Sequence, residues 1–180
     1  MHAPDERRYS DYVAAHLPRL HRLAYLLCRD PDRADDIVQN AIIKLYRHWR
    51  RASAAESLDS YVRAIVVRTF LDEQRLRWAT VRLLGRPQDM PEAAAPVPDT
   101  ETGIVVHAAL TRLPPRQRVA LVLRFLYDLS TDDTAAAMSC STGNVKRLTA
   151  DGLTRLRGLL DGEPGWPTER SARVSRPRRP

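Results

Sequence analysis

Apolar residues return every three to four positions along most of the chain, and that period predicts helices. From Tyr9 the pattern runs through Val13, Leu17, Leu20, Ala24 and Leu27. The polar residues 1–8 are expected to fray. Pro18 interrupts the pattern, so a break or kink is expected there, with Pro18 opening a second piece. Asp30-Pro31 marks a fresh start, Asp as cap and Pro as first helical residue. On the helix that follows, Ala34, Ile37, Val38, Ala41, Ile42, Leu45 and Trp49 make one apolar stripe. The opposite side, Asp35, Asp36, Gln39 and Asn40, is acidic and amidic, and the C-terminal end turns basic. Acid first and base last suits the helix dipole, so helix electrostatics alone accounts for that gradient. Residues 51–57 are a short connector. Ser57 or Ser60 caps a third helix with Leu58, Tyr61, Ile65, Val66 and Phe70 on its stripe.

Periodicity is lost over residues 79–103, where four prolines and a run of alanines read as a partly extended linker. A helix is expected from Ile104 to Leu113. Pro115 opens another, carrying Val119, Val122, Leu123 and Leu126 at i, i+3, i+4 and i+7. Leu129 to Leu156 reads as two short helices around a tight turn at Ser139 and Cys140. Ser130 caps the first, with Asp133 at capping-box spacing. Ser141 caps the second, whose inward line is Val145, Leu148, Gly152 and Leu156. Thr142, Asn144, Lys146 and Arg147 stay outside, as on the recognition half of a helix-turn-helix. The alternative is an ordinary antiparallel helical pair with a solvated face. From residue 163 onward the chain is Pro, Arg and Ser without a core, and disorder is expected. The fold class is therefore all-α, two small helical domains joined by a flexible linker: residues 1–78, a linker at 79–103, residues 104–162, and a basic tail at 163–180.

Charge refines this picture. The chain carries 29 Lys+Arg against 22 Asp+Glu, a net +7. The excess is shared between two weakly basic blocks, separated by a weakly acidic connector, and the basic tail, so an anionic partner is permitted but neither block is a tight non-specific nucleic-acid binder. Cys28 and Cys140 lie far apart in sequence, which argues against a metal site or disulfide framework. No two of the five histidines have metal-ligand spacing, Asp35-Asp36 and Asp132-Asp133 are adjacent and do not face each other on a helix, and no Gly-rich phosphate loop is present. No enzyme, cofactor or small-molecule substrate is expected. The N-terminus lacks a signal-peptide core and no apolar run approaches a membrane span, so a cytoplasmic chain is expected. In the first block Arg-bearing and acidic faces lie on neighbouring helices, suited to DNA phosphates and to a basic protein surface respectively. Tyr46, Trp49, Tyr61 and Trp78 are candidates for stacking on unpaired bases, with core packing as the alternative.

The order of these parts resembles a family. A-Y-L-L-C-R-D-P-D-R-A-D-D-I-V-Q-N (Ala24 to Asn40), S-Y-V-R-A-I-V-V-R-T-F-L-D-E-Q-R (Ser60 to Arg75), L-P-P-R-Q-R-V-A-L-V-L-R-F (Leu113 to Phe125), D-L-S-T-D-D-T-A-A-A-M (Asp128 to Met138) and S-T-G-N-V-K (Ser141 to Lys146) are similar, in that order, to the group IV (extracytoplasmic-function, ECF) sigma factors of bacterial RNA polymerase, of the actinobacterial SigE-like type. The resemblance implies a sigma-2 domain, a linker and a sigma-4 helix-turn-helix domain. It implies that Asp35, Asp36, Val38, Gln39 and Asn40 dock on the β′ clamp helices of core polymerase. Tyr46 to Ser57, with Tyr46 and Trp49 as aromatics, would open the minus-ten element, and Arg63, Arg68, Asp72 and Arg75 would face minus-ten DNA. The linker would thread towards the active-site and RNA-exit channels. Thr142, Asn144, Lys146 and Arg147 would read the minus-35 major groove, above Leu113 to Asp128, which would meet the β flap. An anti-sigma factor is a further candidate partner. Four positions depart from the family pattern: Arg68 for Asn, Ser139 for Gly, Thr134 for an aliphatic residue, and Asp151 for Arg. The rival readings are a conventional helix-turn-helix regulator acting without a sigma role and a helical interaction module.

Overall fold

The computed structural model describes the backbone of residues 3–84 and 101–161. Eight α-helices follow in order: α1 (Ala3–Cys28), α2 (Pro31–Arg47), α3 (Trp49–Ser53), α4 (Leu58–Leu84), α5 (Glu101–Thr111), α6 (Pro115–Leu121), α7 (Thr131–Met138) and α8 (Thr142–Leu160). A π-helical turn, Val122–Leu126, continues α6. The expected linker contributes six residues to the end of α4 and three to the start of α5; its remainder, 85–100, and the tail lie outside the described residues.

Local sequence explains most helix ends. Asp30 accepts from the Arg33 amide at 3.1 Å and Pro31 opens α2. Ser57, rather than Ser60, caps α4: its Oγ accepts from the Ser60 amide at 3.2 Å. Ser130 and Ser141 accept from Asp133 and Asn144 amides in the same way. At the end of α7, Cys140 N–H reaches Ala135 O at 3.0 Å and Ser139 N–H reaches Ala136 O at 3.3 Å, with Ser139 left-handed at φ 50°. This is the Schellman closure, in which Gly usually fills the left-handed position.

Three expectations are corrected. Residues from Ala3 are helical rather than frayed, and α1 runs through Pro18 without a break. Pro18 and Ala14 are both exposed, so the carbonyl that loses its i+4 donor faces water, which can replace it. Leu126 does not continue the buried line of α6. The π turn adds a residue to the ring and rotates the following positions, leaving Leu126 half exposed while Val119, Val122 and Leu123 are buried.

One apolar cluster runs through both predicted domains, from Leu20, Ile37, Leu45 and Trp49 through Val66 and Phe70 to Val119, Leu123, Met138 and Leu148. A smaller one joins Leu110, Leu113 and Leu121 with Leu156. The two modules therefore pack on each other, α4 being covered by α2 and by α7. That double cover buries Val62 and Val67 as well as the expected Val66 and Phe70; a helix enclosed on two sides is apolar beyond a single stripe. Arg118 ties the modules. It is 8% exposed and donates to Leu27 O at 2.5 Å in the last turn of α1, to Thr111 O at 2.5 Å and to Leu113 O at 3.3 Å beyond α5. Two helix C-termini supply the negative dipole ends that hold this cation. Burial pushes its pKa down to about 10, which leaves it charged at neutral pH. Where α6 crosses α8, a Cβ on Gly152 would stand 3.2 Å from Leu121 Cγ, so the glycine permits the close approach.

Candidate polymerase and nucleic-acid interfaces

Buried Ala34, Ile37, Ala41 and Leu45 fix the rotation of α2, and that rotation puts Asp35, Asp36, Gln39 and Asn40 in solvent. Arg33 locks the helix to α4, giving Glu73 Oε1 two bonds at 3.0 and 2.8 Å. Lys44 donates to Thr69 at 3.0 Å further along. Asp35 meets His21 Nδ1 of α1 at 2.9 Å, whereas Asp36, Gln39 and Asn40 stand exposed without a side-chain partner among the described residues. Val38 is 1% exposed and supports this face from beneath; its side chain does not line it. Sequence reasoning missed Ile43. It is 55% exposed, four residues after Gln39 and outside the apolar stripe, and it adds a greasy end to the acidic face. An isoleucine off its own helix's stripe was the available signal.

Next along the chain, Tyr46 is 47% exposed and meets Tyr9 edge-on at 5.3 Å. Trp49 is 2% exposed, with Tyr9 packed edge-on at 5.4 Å. Its ring belongs to the core, so the packing alternative holds for Trp49, while Tyr46 is available to a base. Tyr61 is half-buried, and the Trp78 side chain lies outside the described residues. Tyr12 donates to Asp59 at 2.8 Å and stacks on His16 at 4.1 Å, closing the outside of this aromatic group; burial and that hydrogen bond push the Tyr12 pKa up.

Arg68, Asp72 and Arg75 are exposed on one side of α4, with Asp72 and Arg75 3.9 Å apart; Arg63 is half-buried. Arg68 is engaged with the other module, donating to Ala136 O of α7 at 2.8 Å. Between α4 and α7 lies an open cleft of about 690 Å³, its walls including Tyr61, Arg63, Arg68, Asp133 and Ala136.

On α8, Val145, Leu148 and Gly152 are buried, Thr142, Lys146 and Arg147 are exposed, and Asn144 is intermediate. Thr134, in α7, is fully buried, and its hydroxyl donates to Ser130 O at 2.8 Å. That bond satisfies a polar group where an aliphatic side chain would need none. Asp151 does not stand alone: Arg147 donates to it at 3.2 Å and to Asn144 at 3.1 Å. Among the described residues no group of three or more His, Cys, Asp or Glu is placed to hold a metal, and no helix is long and apolar enough to cross a membrane. Burial raises the Cys28 thiol pKa, and its Sγ donates to Asp30 O at 3.2 Å, the behaviour of a small core side chain.

Residues 12–80 match Sigma-70 region 2 and residues 104–156 match Sigma-70, region 4. The chain is 31% identical over 160 residues to the RNA polymerase sigma-E factor of Streptomyces avermitilis, covering 85% of each chain. It is 34% identical to the ECF RNA polymerase sigma factor SigM of Mycobacterium tuberculosis, covering 88% of this chain and 80% of that one. The chain belongs to the ECF sigma factors of RNA polymerase, actinobacterial type. The fold agrees. This sigma factor superposes on the sigma factor RpoE, solved in complex with the anti-sigma factor NepR from Bartonella quintana, with a TM-score of 0.72 at 23% identity, over 87% of this chain and 99% of that one. CnrH, solved with the cytosolic domain of CnrY, gives a TM-score of 0.60 at 18% identity, over 88% and 90%. As a sigma factor the protein binds core polymerase and directs promoter-specific transcription initiation, a regulatory and non-catalytic role.

Proposed function

We propose that the sigma factor docks on the β′ clamp helices through the outer face of α2, with Asp35, Asp36, Gln39 and Asn40 as polar contacts and Ile43 at their apolar end. The observation that carries this assignment is the exposed acid–amide face on a helix rigidly held by its cap, its buried stripe and the Arg33–Glu73 fork. Tyr46, Arg63, Arg68, Asp72 and Arg75 then serve the minus-ten element, residues 142–147 the minus-35 element, and the modules at 1–78 and 104–162 divide the work. Each module binds DNA weakly; tethering both to polymerase raises their effective concentration at two sites. Promoter binding on this scheme requires Arg68 to leave Ala136 O and the modules to part. In the packed form the cleft between α4 and α7 suits a partner that holds the modules together, and an anti-sigma factor is proposed for that place. The protein acts in the cytoplasm, where polymerase is, without a cofactor or a small-molecule substrate.

In vitro transcription with purified core polymerase and a promoter library tests the scheme. Wild-type factor is expected to give promoter-specific RNA beyond core alone. Asp36→Arg with Gln39→Ala should abolish co-purification with core while leaving helicity intact, because both side chains are exposed. Unchanged co-purification would remove α2 from the docking role.

A further inference from the structure

We propose that Asp151 is a positioning residue for Arg147, and that the pair reads a guanine in the minus-35 element. The inference rests on the reading of α8 as the minus-35 helix.

Asn144, Arg147 and Asp151 stand at i, i+3 and i+7 on the exposed side of α8, beside the buried line of Val145, Leu148 and Gly152. The Arg147 guanidinium is held from both ends: one terminal nitrogen donates to Asp151 Oδ2 at 3.2 Å, the other to Asn144 Oδ1 at 3.1 Å. A guanidinium has five N–H protons, two on each terminal nitrogen and one on Nε. Two are spent on the helix, which leaves one on each terminal nitrogen and one on Nε. A pair of donors on one planar group is what guanine offers N7 and O6 to accept in the major groove. The Arg147 side chain is 67% exposed and that of Asp151 47%, so DNA can reach the remaining donors.

Helix stability does not account for the acid. An exposed i, i+4 pair contributes little to folding, and base before acid is the weaker order on a helix. Nor does attraction to DNA, because a carboxylate there repels phosphate. What Asp151 supplies is orientation and partial neutralisation. A long arginine that would otherwise sweep across the backbone is fixed on one site, and its sequence-independent attraction is reduced. Both effects raise discrimination relative to affinity.

The test uses holoenzyme, core polymerase plus the full chain, on templates with a randomised minus-35 element and a fixed minus-ten element. Wild type should require a guanine at one position, and Arg147→Ala should lose that preference by roughly tenfold or more. Asp151→Ala should relax the same position by roughly fivefold while keeping or raising output from templates changed there, with a steeper salt dependence. Asp151→Asn, which keeps an acceptor, should restore most of the preference. If Asp151→Ala raises output uniformly with discrimination unchanged, the acid is a mere repulsive charge and the positioning role is overturned. A lost preference for another base overturns the guanine assignment. A flat response to Arg147→Ala and to Lys146→Ala together overturns the minus-35 reading of α8 itself.

Discussion

The first module is built mainly from α1, α2 and α4, of 26, 17 and 27 residues, with the five-residue α3 between them, whereas in the second α6 and α7 have 7 and 8. Long helices register against one another through repeated apolar positions, and an error at one end matters little. Helices of two turns do not persist alone, and their ends decide whether they form. Hence the second module concentrates its devices at termini: Pro115 at the start of α6, a π turn after it, serine caps on α7 and α8, and a left-handed Ser139 between them. Stability in the first module lies in side-chain packing. In the second, packing is supplemented by these backbone devices at the helix ends.

The largest effect should fall in the first module. Trp49→Ala removes a ring that is 2% exposed and enclosed by Tyr9 and Tyr12. A loss of about 3–5 kcal/mol is expected by urea denaturation followed by circular dichroism. Tyr46→Ala, three residues earlier and half exposed, should stay within about 1 kcal/mol. Equal losses would erase the distinction between core and exposed aromatics in this segment.

Arg118→Ala strikes the seam of the comparison. Three carbonyls lose their donor, each worth about 1 kcal/mol, while the cost of burying a cation disappears. The net expectation is a loss of about 2 kcal/mol, read from the same denaturation curve. An unchanged midpoint would mean that the modules pack without this tie.

This contrast also governs what was legible in the residues. The α2 stripe, its Asp30 cap and the capped helix-turn-helix follow from local pattern and are found as expected. Several unexpected features depend on what lies across the chain. Val62 and Val67 are buried because α4 is covered by α2 on one side and α7 on another. Arg118, on a polar-looking position of a short helix, is buried because two helix ends converge on it. Leu126 is turned out by a π turn that no periodicity announces. Within the site, the exposed acids of α2 were legible from the stripe opposite them. The burial of Val38 and Trp49 was legible from the same stripe, although the family resemblance placed both at interfaces, and Ile43 stood off that stripe; the bond from Arg147 to Asp151 required a rotamer that spacing does not contain.

The smallest effect tests the claim about backbone devices in the second module. Ser139 closes α7 at φ 50°, ψ 55°, and its amide bonds back into the helix. For a residue with a Cβ that conformation costs about 1–2 kcal/mol. Glycine removes the cost but returns about 0.4–1 kcal/mol of freedom to the unfolded chain. Ser139→Gly should therefore stabilise the protein by about 0.5–1 kcal/mol, seen as a small upward shift of the urea midpoint. Ser139→Val, β-branched in the same place, should shift it down by more than Gly shifts it up. Both substitutions leave the first module untouched, so an effect of the opposite sign from either would show that packing, rather than turn geometry, sets the stability of the helix-turn-helix.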